Sequence, residues 1–359
     1  MASCNQGTSR DSGVTILSVD IDKNLSEGVS IYDYCEKVEI LRLDSSIAIT
    51  NGGTFSPNHM AVTESNLYIL DEKTNDIIVY DIESGKHLSH VVKKGRGPGE
   101  FLLAYGIEYI EDDNTLDVLD PRGRIIRYDL SAHFDKYLVY DLSNRIKSIG
   151  HFRHIGHGQY LLFCKYAKNQ IKLYDSRSDE LKDFDYEAPE WLLTYSTPVR
   201  PFFEHAGRWY YYEGATGEIF SLDLNHATLD RAFEWDFHRR QFHKGMLPKR
   251  KDAYYYSEFK RSITDRFVTP FLSSWRWNDL LFAKVVYRSK LVNIMVDLNA
   301  GRSVAFEKNK EGTYFVDGLL KENVLYSLVS PDLADMAIDE SMIEKGGPVL
   351  LKYTFRRDE

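Results

Sequence analysis

One hairpin recurs along this chain, and that repeat constrains the fold more than any other feature. Asn66–Asp81 (NLYILDEKTNDIIVYD) aligns with Asn114–Asp129 (NTLDVLDPRGRIIRYD). Each reads as an apolar strand, a polar turn opened by Asp71 or Asp120, and a second apolar strand ending in Tyr-Asp. Looser copies are QYLLFCKYAKNQIKLYD (Gln159–Asp175), RWYYYEGATGEIFSLD (Arg208–Asp223) and DLLFAKVVYRSKLVNIMVD (Asp279–Asp297). A sixth, VLYSLVS with VLLKYTF (Val324–Ser330 and Val349–Phe355), is broken by an insertion. The closing aspartates fall at 81, 129, 175, 223 and 297, spaced by 48, 46, 48 and 74 residues. A spacing near ~45 residues matches one four-stranded propeller blade.

The repeat therefore predicts an all-β fold, a six-bladed β-propeller, with room for a flanking strand on each side of every hairpin. In the second blade these are Gly106–Ile110 and Lys136–Asp141. Runs such as Ile77-Ile78-Val79-Tyr80 are apolar on both faces, as a sheet sandwiched between neighbours requires. The last blade lacks a fourth strand of its own, and the orphan segment Lys37–Leu43 is expected to complete it and close the ring. Helical periodicity appears only near Asp332–Lys345. Residues 14–359 read as a single domain with an insertion at about 238–265, preceded by a flexible tether over 1–13. Aromatic content of 13%, with 24 Tyr and 19 Phe, agrees with β structure.

Over about Val14 to Phe355 the sequence resembles the six-bladed β-propeller lipoproteins of gut anaerobes, distant relatives of the NHL-repeat propellers. SIYDYCEKVEILRLDSS (Ser30–Ser46) is similar to that family's N-terminal stretch before the closing strand. LYILDEKTNDIIVYD (Leu67–Asp81) is similar to the NHL pattern, and GRGPGEF (Gly95–Phe101) to the family's most distinctive local motif. The resemblance implies the fold, secretion and anchoring, but no reaction. The chain departs from the family in its missing export signal and in the 74-residue interval before the fifth hairpin closes.

Ala2-Ser3-Cys4 looks like the end of a bacterial lipobox, which makes Cys4 a lipidation candidate and the bacterial cell envelope, outer-membrane-anchored or periplasmic, the expected location. The membrane is then met only through that lipid. Cys35 and Cys164 lie among apolar neighbours and read as core thiols, with no C-x-x-C spacing for a zinc or redox site. The net charge of −9 argues against a nucleic-acid partner.

Three local patterns bear on chemistry. The glycines of Lys93–Phe101 could form an anion-binding nest, but its place between blades favours a tight connection with Phe101 plugging the core. His151, His154 and His157 alternate on an extended strand and cannot converge on one metal, so no metal site is expected. Asp71 and Asp120 recur at equivalent turns, which favours capping of backbone N–H groups over acid–base work. No nucleophile elbow is present, catalytic residues stay unassigned and no cofactor is implied.

The best binding candidate is the insertion, HRRQFHKGMLPKRKDAYYYSEFKR (His238–Arg261), which carries eight Lys and Arg against two acids. Arg239, Arg240, Lys249, Arg250 and Lys251 can pair with carboxylate or sulfate, and Tyr254, Tyr255 and Tyr256 can stack on sugar rings. Trp275 and Trp277 follow on the next strand. The expected function is a monomeric binding propeller whose partner is an anionic carbohydrate or a protein. The alternatives are a glycan or lactone hydrolase or lyase using the central pocket, with a divalent cation on channel-facing carboxylates, and a scaffold of an outer-surface nutrient-uptake assembly.

Overall fold

The computed structural model describes residues 10–11, 13–25, 29–49, 56–187, 199–246, 261–329 and 348–356. The helical pattern at Asp332–Lys345 lies outside them, as does Cys4. The described chain forms six sheets, five of them antiparallel and one mixed, grouped in two compact units.

Four sheets belong to the unit built mainly from Ser30–Tyr166 and Glu311–Glu359. The first runs Met60–Val62, Asn66–Leu70, Ile77–Asp81, His87–Val91, each strand paired with the next. The second repeats that order with Gly106–Ile110, Thr115–Asp120, Arg124–Asp129 and Tyr137–Asp141, so both predicted flanking strands are present. The third uses His151–His154, Gln159–Phe163, Ile171–Asp175 and Glu180–Asp183. In the fourth, Leu319–Lys321, Val324–Val329 and Val349–Phe355 are followed by Cys35–Arg42, which pairs antiparallel with Val349–Phe355.

Period-2 alternation explains why these strands are apolar throughout. Ile77 and Val79 face one core, shared with Leu116, Val118 and Ile126 of the next sheet. Ile78 and Tyr80 face another, shared with Leu328 and Leu350. Each such buried side chain stabilises the fold by about 1.5–3 kcal/mol, so a polar residue on either face would be costly. The turn aspartates cap as expected. Asp71 Oδ1 accepts the backbone N–H groups of Lys73 and Thr74 at 2.9 and 3.0 Å, and Asp120 Oδ1 accepts that of Arg122 at 3.1 Å. Asp120 also holds the guanidinium groups of Arg122 and Arg124.

The GRGPGEF connection carries its own anion. Gly97 N–H donates to Glu100 Oε2 at 2.8 Å, and a Cβ on Gly95 would sit 1.9 Å from the same oxygen. Phe101 is fully buried beside Tyr68 and Tyr128, as the connection reading requires. Cys35 and Cys164 are buried and not joined in a disulfide, and burial pushes the Cys35 thiol up to about 12.

The other unit, mainly Asp183–Lys310 with the chain before Ser30, holds two sheets. One contains Phe202–His205, Arg208–Tyr212, Ile219–Asp223 and Thr228–Asp236, extended by Val14–Ser18 and Arg10–Asp11 to six strands. Val14–Ser18 runs parallel to Thr228–Asp236, from Thr15 opposite Phe233 to Ser18 opposite Asp236. The span read as a tether therefore ends in a short hairpin, because Gly13 turns the chain at φ +79°. The second sheet contains Phe271–Trp277, Leu280–Tyr287, Lys290–Asp297 and Arg302–Phe306. Between the sheets, the described part of the insertion forms 3-10 turns at His238–Arg240 and Lys244–Met246 and a helical turn at 261–264.

Candidate functional site

The site grows from the turn joining Arg208–Tyr212 to Ile219–Asp223. Gly217 permits that turn. Its φ is +74°, and a Cβ there would lie 2.3 Å from the Phe271 ring. Glu213, fully buried, accepts the Ala215 N–H at 2.9 Å and the Thr216 hydroxyl. The same hydroxyl lies 3.2 Å from Glu218 Oε2.

Across the sheet, Thr228–Asp236 brings Arg231 and Glu234 to the same place. Arg231 lies 2.8 Å from Glu218 and 3.2 Å from Glu234, so one guanidinium is held between two carboxylates. Beneath them Trp235 is 2% exposed and stacks on Phe237, with centroids 5.6 Å apart and planes 6° from parallel. Its indole Nε1 is buried without a hydrogen-bond partner among the described residues. Phe242 and His243, from the insertion, complete a cleft of about 340 Å³. Charged side chains form its rim and buried aromatics its floor.

Two residues back, the insertion carries a second feature. Asp22, on the helical turn Ile21–Asn24, accepts Tyr287 Oη at 2.5 Å, Arg288 at 2.9 Å, Arg240 Nε at 2.9 Å and Arg239 at 3.1 Å. Burial pushes its carboxyl up, but the hydrogen bonds from Tyr287, Arg240 and Arg239 outweigh that and hold it at about 2. One carboxylate against three guanidinium groups leaves an excess of positive charge. Arg239 and Arg288 present it to solvent, at 77% and 54% side-chain exposure.

Arg239 and Arg240 thus come together, around Asp22, a partner that nothing in the insertion announces. Lys249, Arg250, Lys251, Tyr254, Tyr255 and Tyr256 lie outside the described residues. Trp275 and Trp277 are buried, Trp275 stacked on Phe282 at 4.6 Å, and present no surface platform. His151 is buried, His154 packs edge-on against Tyr160 at 5.2 Å, and His157 sits at a turn with φ +50°. Burial, then the Arg127 charge, pushes the His154 imidazole down. Among the described residues no group of three or more His, Cys, Asp or Glu is placed to hold a metal ion. Glu218, Arg231 and Trp235 were not apparent from the sequence. The only signals were the charged turn EGATGE and the run FEWDF, in which Glu234 and Trp235 fall on opposite faces of one strand.

Residues 10–274 match the family DUF5128, described as a 6-bladed beta-propeller, and the chain belongs to that family. The six sheets are accordingly the blades of a six-bladed β-propeller. No curated protein matches the sequence. Among solved structures the chain is similar to an exported protein from Bacteroides fragilis, at 14% identity over 96% of this chain and 100% of that one, with a TM-score of 0.73. It is also similar to a member of the duf4221 family from Bacteroides vulgatus, at 12% identity over 90% and 97% of the two chains, with a TM-score of 0.54. At these identities the likeness concerns the fold. Among the described residues no helix is long and apolar enough to cross a membrane.

Proposed function

We propose that this chain is an exported binding propeller, held at the bacterial cell envelope by a lipid on Cys4, whose ligand is an anionic carbohydrate. The observation that carries the reading is the continuity of two features on one short segment. Arg239 and Arg240 belong to a cluster with excess positive charge, and Phe242 and His243 line a cleft together with Arg231, Glu218, Glu234 and Trp235. Sulfate or carboxylate groups pair with the exposed guanidinium groups, and the sugar hydroxyls meet Arg231, Glu218 and Glu234. The rest of the insertion adds Lys249, Arg250 and Lys251 for charge and Tyr254, Tyr255 and Tyr256 for stacking.

Calorimetric titration of the chain with uronic-acid and sulfated oligosaccharides tests this. Binding should weaken about tenfold, and lose most of its salt dependence, when Lys249, Arg250 and Lys251 are neutralised together. The Arg239→Gln/Arg288→Gln pair should act in the same direction. Unchanged affinity and salt dependence in both variants would overturn the reading.

A further inference from the structure

A second cleft lies in the four-sheet unit, independent of the site above. It occupies about 490 Å³, within the roughly 300–1,000 Å³ of small-molecule sites. Its walls are the first turns of two successive hairpins. Asn66 and Asn114 hold the same position in the repeat, and each presents its amide beside a tyrosine, Tyr68 and Tyr109. The third and fourth copies carry Gln159 and Arg208 there, and the Gln159 amide is taken up by Asp175 at 3.2 Å. The fifth copy carries Asp279, and the sixth carries Asn323, whose amide donates to the Phe355 carbonyl at 3.3 Å.

The turns are tied by hydrogen bonds to their own backbone. Thr63 N–H donates to the Asn66 carbonyl at 2.9 Å, and Asn66 N–H donates to Thr63 Oγ1 at 2.9 Å. On the other wall Leu130 N–H donates to the Asn114 carbonyl at 3.2 Å. The side chains keep unused hydrogen-bonding capacity. Asn66 Nδ2 donates to Tyr68 Oη at 3.3 Å, which leaves the Tyr68 hydroxyl proton and Asn66 Oδ1 without a partner among the described residues. Tyr109 Oη donates to Asn114 Oδ1 at 3.4 Å, which leaves the two amide N–H groups of Asn114 free in the same sense. Lys321 lies 3.4 Å from Glu111, with its ammonium 5.5 Å from the Tyr109 ring centroid, so that charge is answered. Glu64 stands exposed at the rim. Burial first, then the Glu111 and Glu64 carboxylates, push the Tyr109 phenol up, so both acids stand near one ring.

Donors and acceptors alternate around a half-buried aromatic ring, and no cation on the lining awaits an anion. A ligand meeting this set carries groups that both donate and accept, has an apolar face for the Tyr109 ring, and bears no negative charge. We propose that this cleft binds an uncharged saccharide, with sugar hydroxyls bridging Asn66–Tyr68 on one wall and Tyr109–Asn114 on the other.

Titration of the full chain with neutral gluco-, galacto-, manno- and xylo-oligosaccharides, followed by saturation-transfer NMR and calorimetry, tests it. At least one neutral series should bind with an affinity indifferent to salt. Tyr68→Phe and Tyr109→Phe each remove a hydroxyl while keeping the ring, and each should weaken that binding about five- to tenfold with the melting temperature little changed. Binding of acidic oligosaccharides at the Arg231 cleft should be untouched by either variant, which separates failure here from failure there. Silence across the neutral panel, or binding that both variants retain in full, would overturn the proposal.

Discussion

The two clefts use the same hairpin in different ways. At the Arg231 cleft the residues come from the turn between the two hairpin strands, the neighbouring strand and the insertion, and the charges meet each other, Arg231 with Glu218 and Glu234, as Asp22 meets three arginines two residues back along the insertion. At the Asn66–Asn114 cleft the residues come from the turns that precede two hairpins, and amides and phenols keep open valences. The comparison teaches that the repeat fixes a scaffold while its exposed ends set the chemistry. The cleft fed by the insertion holds its charges in ion pairs, whereas the one made of repeat turns offers amides and phenols with directional hydrogen bonds.

The comparison can be broken at its strongest point first. Trp235→Ala removes a buried stacked ring and should cost about 3–5 kcal/mol in urea unfolding, the largest single effect expected. In whatever fraction stays folded, the Arg231 cleft should lose its ligand while neutral-sugar binding persists; loss of both would mean that the clefts are not independent. Next comes Asp22→Asn, expected to cost about 1–3 kcal/mol at neutral pH because charge-assisted bonds from three arginines are lost. Asp22 titrates lower in the folded chain than its ordinary 3.8, so its stabilisation is complete above about pH 4 and fades as pH falls toward 2. Acid titration of stability should show that loss in the wild type and a shallower one in the variant. Raising salt from about 50 to 500 mM should weaken acidic-ligand binding several-fold and leave neutral-ligand binding in place. The smallest effect should be Glu64→Gln, less than about threefold on neutral-sugar affinity, since an exposed charge contributes little to an uncharged ligand.

The blades were readable because period-2 burial leaves a direct trace. Ile77 and Val79 serve one core and Ile78 and Tyr80 another, so the run must be apolar throughout, and Asp71 and Asp120 mark the turns they cap. The sequence also made Arg239 and Arg240 stand out, but not what holds them, since Asp22 lies more than 200 residues away in the chain. The Arg231 cleft was hidden for a related reason. Glu218, Arg231 and Trp235 meet through strand register, including a register shift between Ile219 and Phe220, and no local pattern encodes that. Asn66 and Asn114 were visible as repeat positions, yet their free valences appear only once Tyr68 and Tyr109 are placed beside them.

The pairing of Cys35–Arg42 with Val349–Phe355 has a consequence for how the protein is made. The early strand leaves the ribosome some 300 residues before its partner, about 15–60 s at ordinary elongation rates. Throughout that interval its backbone N–H and C=O groups offer an open edge to any passing chain. The alternating Glu36, Lys37 and Glu39 on that strand, with Lys37 paired to Glu39, give the waiting edge a charged surface that disfavours self-association. Completion of the last sheet, with the longest loop to close, is then the late step in folding, and a chain arrested before Val349 would display that edge permanently.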